Sequence, residues 1–148
     1  MTVLGGVTLA VGCAAVAEDL TRRRISNWTS GAALVSGFVL HMALTGWRGA
    51  AAASLGALAG FAVFLIFYLL NGMGGGDVKL MAGFGSLLGP GAIFWAAWFA
   101  AVAGGVMAAG YAIALGLRAR GGGEPDGQAI PYAPAIVAGV WLAEFALG

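Results

Sequence analysis

Between Leu80 and Leu117 the chain carries no charged side chain, and Leu55 to Leu70 carries none either. About 20 apolar residues in a helix cross the roughly 30 Å of a bilayer's hydrocarbon. Runs of this kind constrain the chain to a membrane before any motif is considered. Composition agrees, because 61% of the residues are hydrophobic and 9% are charged, against roughly 25% charged in a soluble domain. The expected class is an all-α polytopic membrane helical bundle, one domain over residues 1–148. A net charge of +1 gives no argument for nucleic acid, and none is expected as a partner. Cys13 is the only cysteine and His41 the only histidine. A disulfide framework is therefore excluded, and a metal or Cys/His mechanism fits poorly. No metal and no cofactor are expected.

About six spans are expected, with the N-terminus outside. Val3–Ala17 is the first. Ala15-Val16-Ala17 resembles a signal-peptide cleavage site and Ala10-Val11-Gly12-Cys13 a lipoprotein box. No Lys or Arg precedes this stretch, however, and three arginines follow it, which favours a retained helix. Trp28–Thr45 is the second span, with Trp28 and Trp47 as interfacial aromatics and His41 as a packed or interfacial residue. Gly46–Gly49 reads as a turn and Ala50–Leu70 as the third span. Its Gly56 and Gly60 form a G-x-x-x-G pair, a weak signal in so glycine-rich a chain.

Val78–Leu88 reads as a short fourth helix, rising only about 17 Å. It is expected to start inside the membrane thickness, with the glycine-rich turn before it lining a wet, protein-enclosed cavity. Gly89-Pro90-Gly91 should break it. Ala92–Leu117 is the fifth span. Arg118–Gln128 is a polar loop, expected to be mobile. Ile130-Pro131-Tyr132-Ala133-Pro134 leads into the last span, ending near Leu147, with Glu144 reaching an interface. This topology puts Arg22, Arg23, Arg24, Lys79, Arg118 and Arg120 on the cytoplasmic side and leaves Arg48 outside, as the positive-inside rule requires.

Two acids stand out. Asp77 lies in Gly72-Met73-Gly74-Gly75-Gly76-Asp77-Val78-Lys79, between two uncharged runs, and Asp19 lies at the end of the first helix. An ionisable group in a membrane segment is a functional candidate by default, and the topology brings both to one face. Two carboxylates sharing a site do not easily ionise together. The charged one can draw a proton from an attacking water while the protonated one donates to a carbonyl oxygen. Topology alone fits a structural role equally well, in which the acids cap helices or pair with Arg22–Arg24 and Lys79. A phosphate cradle fits less well, since no Gly-Lys-Ser/Thr follows the glycines.

Gly74-Gly75-Gly76-Asp77-Val78-Lys79-Leu80 resembles the G-x-G-D-x-K-L segment of type IV prepilin peptidases, which are GxGD membrane aspartyl proteases. Asp19, followed by Arg24-Ile25-Ser26-Asn27, resembles their first aspartate and its downstream Ile-Pro-Asn. Ile130-Pro131-Tyr132-Ala133-Pro134-Ala135 resembles the segment entering their last helix. The resemblance implies catalytic roles for Asp19 and Asp77, with Gly74, Gly76, Lys79 and Asn27 supporting the active-site loop. It implies a prepilin or pseudopilin substrate whose helix lies in the bilayer, cut at the cytoplasmic face of a bacterial inner membrane. Ser26 replaces the family proline, which is expected to loosen the turn after Asp19. The paired Cys-x-x-Cys region of the bifunctional enzymes has no counterpart here. The chain therefore resembles the short peptidase-only form of Tad/Flp pilus systems, without methyltransferase activity. A small proton-coupled transporter and a non-catalytic pilus-assembly scaffold are the alternatives.

Overall fold

The computed structural model describes residues 2–70, 73–120 and 132–147. Among them the elements are all helical: α1 (Val3–Arg22), α2 (Asn27–Thr45), α3 (Trp47–Leu69), α4 (Gly75–Arg120) and α5 (Ala133–Leu147). Four of these, α1 to α4, are long and apolar enough to cross a membrane, and α5 is apolar but shorter. The outer surface is apolar as well. Val35 is 61% exposed, Leu58 65% and Val106 69%, a continuity of exposed hydrophobic side chains suited to lipid rather than water.

Several boundaries differ from expectation. The first helix does not stop at Ala17 but runs through Glu18 and Asp19 to Arg22. Arg23 closes it in the left-handed region (φ 51), its N–H bonded to Asp19 O. Instead of a turn over Gly46–Gly49, a single residue, Gly46 (φ 65), separates α2 from α3. Helix α4 already begins at Gly75, so Asp77 sits on its first turn rather than in a glycine loop. Helix α4 also reaches Arg120. The rest of the expected polar loop lies outside the described residues, as do Asn71, Gly72, Ile130 and Pro131.

The expected fourth and fifth helices are two limbs of one element, α4, bent at Gly89 (φ 76, ψ 177). The bend is sharp. A Cβ built on Gly60 would touch the Met81 carbonyl from one limb and lie 3.3 Å from Ile93 Cγ1 on the other. In a straight helix Met81 and Ile93 would stand about 18 Å apart. Pro90 has no N–H to give, and a helix end leaves its last carbonyls without intrahelical partners. One of them is met from α2, where His41 Nε2 lies 3.0 Å from Leu87 O. A histidine on an apolar helix here supplies a donor to a broken backbone.

The first limb of α4 is the centre of the bundle, with Leu80, Met81 and Phe84 fully buried. Glycines let its neighbours approach at backbone distance. A Cβ on Gly56 would meet the Gly85 carbonyl and lie 2.8 Å from the Gly89 carbonyl carbon. From the other side, Ser86 Oγ reaches Gly83 O at 2.7 Å and Leu34 O of α2 at 3.1 Å. The G-x-x-x-G pair is thus a true contact between α3 and α4. At the far end from Asp19, Glu144 of α5 packs on Gly5 and bonds Thr8 of α1. It meets protein there rather than only an interface.

Gly56→Leu should cost about 1–3 kcal/mol or more, because backbone cannot move aside as a side chain can. Gly6→Ala, where a Cβ meets nothing within 4 Å, should be near neutral. Melting temperatures of the two variants in one detergent test this.

Candidate active site

Asp19 and Asp77 are buried, at 7% and 8% exposure. They lie close enough for the charge on Asp19 to act on the Asp77 carboxyl. Each is held by the start of a helix. Gly74 N–H donates to Asp77 Oδ2 at 3.2 Å, while Asp77 N–H donates back to Gly74 O at 3.1 Å. The side chain of the third helical residue thus reaches back to the capping residue, one half of a capping box. Asp19, near the end of α1, accepts from Ala133 N–H at the start of α5 at 3.0 Å. A helix N-terminus offers unpaired N–H groups and a partial positive charge. Both carboxylates answer that need through one oxygen, Oδ2.

The capping arrangement and a catalytic one are compatible. One oxygen fixes each carboxylate in space, and the other can face a reacting group. Positioning of this kind matters because a catalytic acid or base must come within hydrogen-bond reach of its proton.

The other sequence candidates gather at the same end. Lys79 Nζ donates to Asn27 Oδ1 at 3.0 Å, tying α4 to the start of α2. Lys79 is two residues from Asp77 on a helix, and such pairs do not face each other. The lysine therefore braces α2 against α4 rather than pairing with Asp77. Gly76 packs on the linker, where a Cβ would lie 3.4 Å from Ile25 Cβ.

Glu18 was not singled out from sequence, yet it organises the turn after Asp19. Its Oε2 accepts from Ser26 N–H at 2.8 Å and its Oε1 from Thr29 Oγ1 at 2.7 Å. Ser26 caps α2, its hydroxyl accepting from Trp28 N–H at 3.1 Å. Serine here does not loosen the turn. Its φ of −65° would suit proline, but proline has no N–H for Glu18. Nothing local in the sequence signals this bond, because Glu18 and Ser26 stand eight residues apart and meet only in the folded turn. Glu18→Ala should lower stability by about 1–3 kcal/mol, and Ser26→Ala by about 0.5–2 kcal/mol. Thermal melts of the purified variants in detergent check both.

Residues 6–109 match the type IV leader peptidase family. No curated protein and no solved structure matches the chain. The family match spans more than half of the chain and includes both aspartates, the Asn27–Lys79 brace and the bend at Gly89, while α5 lies beyond it. On that extent of similarity, the chain belongs to the type IV leader peptidase family.

Proposed function

We propose that this protein is an aspartyl endopeptidase of the bacterial inner membrane that removes the leader peptide from type IV or Flp-type prepilins and pseudopilins. Cleavage takes place at the cytoplasmic face, and the enzyme does not methylate its product. The observation that carries the reading is the burial of Asp19 and Asp77 together at one end of an apolar bundle, in a chain of this family.

The chemistry follows from two carboxylates that share a proton. The ionised one takes a proton from a water molecule as its oxygen attacks the scissile carbonyl carbon. The protonated one gives its proton to the carbonyl oxygen, leaving a neutral tetrahedral diol. Collapse then breaks the C–N bond, with a proton passed to the departing amine. No side-chain nucleophile is needed. Either aspartate can act as base or acid, so neither is assigned a fixed role. The substrate's basic leader stays in water while its apolar helix lies beside the bundle in lipid.

The test is cleavage of a co-expressed Flp-type prepilin from the same genome, read as a mobility shift. Asp19→Asn and Asp77→Asn should each reduce the rate by about 100-fold or more. Asparagine keeps an acceptor oxygen for the Ala133 or Gly74 N–H, so both variants should stay folded and membrane-bound. Robust cleavage by either variant would remove the two-aspartate mechanism.

A further inference from the structure

A cavity of about 220 Å³ lies between α3, the second limb of α4 and the start of α5. Its walls include Phe64, Phe67, Met73, Gly104, Gly105 and Tyr132. Among the described residues no charged side chain lines it. Phe64 and Gly104 form a buried floor, while Phe67 and Gly105 are exposed at the rim. The cavity thus opens sideways, toward the part of the surface that faces lipid.

Its position relative to the aspartates is specific. Met73 adjoins Gly74, whose N–H holds Asp77. Tyr132 adjoins Ala133, whose N–H holds Asp19. Two of the walls are therefore each one residue from the anchor of an aspartate. Size narrows the occupant further. A cavity of roughly 150 Å³ holds a benzene ring, whereas sites for whole drug-sized ligands begin near roughly 300 Å³. There is room for one large apolar side chain and not for a helix.

A second groove, of about 570 Å³, runs between α2 and α3 past Leu34, Phe38, Leu58 and Ser86. Its α4 residues, Ala82 and Ser86, follow Lys79 at helical spacing, on the face turned away from Asp77. It is the poorer place for a side chain that must lie beside the scissile bond.

We infer that the Phe67–Gly105–Tyr132 cavity receives the first large apolar side chain on the membrane side of the scissile bond. The inference rests on the peptidase reading and adds to it a subsite that selects substrates. A basic leader finds no partner in an uncharged cavity open toward lipid. An aromatic or long aliphatic side chain at the start of the substrate's membrane helix does. Once seated, it sets the register of the extended backbone against the two carboxylates.

Gly105→Leu tests this, since a Cβ there meets nothing within 4 Å and the added side chain can occupy the cavity without moving backbone. Cleavage is compared for two forms of the Flp-type prepilin, one with a large apolar residue after the cleavage site and one with alanine there. Filling the cavity should slow the large-residue substrate by about 10- to 100-fold and spare the alanine form. Equal slowing of both, or no slowing of either, overturns the subsite.

A second measurement does not depend on turnover. The prepilin carries benzoylphenylalanine at the same position and is photolysed with the Asp77→Asn protein. Crosslinks at Phe67, Met73 or Tyr132 support the proposal, and crosslinks at Phe38 or Leu58 overturn it. Because crosslinking is read whether or not cleavage occurs, a failed peptidase reading and a failed subsite give different results.

Discussion

A helix that ends inside an apolar body leaves N–H or C=O groups with no water to bind, and each such group is costly unless the protein supplies a partner. That requirement accounts for the placement of four polar side chains, His41, Glu18, Asp19 and Asp77. His41 serves the carbonyl of Leu87 at the bend of α4. Glu18 serves the start of α2, and the two aspartates serve the starts of α4 and α5. The two aspartates proposed for the chemistry are thus also residues that complete helix ends.

In the proposed mechanism this overlap has a use. A carboxylate tied through one oxygen to a helix N-terminus is already oriented, so less order has to be created when substrate arrives. The bend at Gly89 contributes in the same direction. It folds the second limb of α4 back along α3, which brings Gly104 and Gly105 beside Phe64 and Tyr132 and forms the cavity. Small residues along α3 and α4 let the remaining helices close around the first limb. The shape of the cavity's end of the bundle thus depends on a backbone break farther along α4.

The membrane class and the break at Gly89-Pro90 are legible in the sequence because each is written in local composition, and the pairing of Asp19 with Asp77 because the order of spans puts both at one face. Helix limits were less so. Glycines at 75 and 76 read as loop, yet α4 starts at Gly75, since the reciprocal bonds of Asp77 and Gly74 and the packing of Gly76 on Ile25 outweigh their weak propensity. Gly56 and Gly60 carry only a weak signal in a glycine-rich chain, and the fold alone sets Gly85 and Met81 opposite them. Ser26 looked like a loss of rigidity because the acceptor for its N–H, Glu18, is eight residues away in sequence.

By itself, then, the sequence determined that this protein lives in lipid, which acids it commits there, and where its longest helix must bend. Charge, apolar run length and proline act locally and survive without a fold. Tertiary structure alone decided which helix start each aspartate holds, that Lys79 braces α2 rather than facing Asp77, and that Met73 and Tyr132, each next to an aspartate's anchor, wall one apolar cavity. Those outcomes depend on contacts between residues far apart in the chain, such as Asp19 with Ala133 and His41 with Leu87. They exist only once glycine faces have let the helices close to backbone distance.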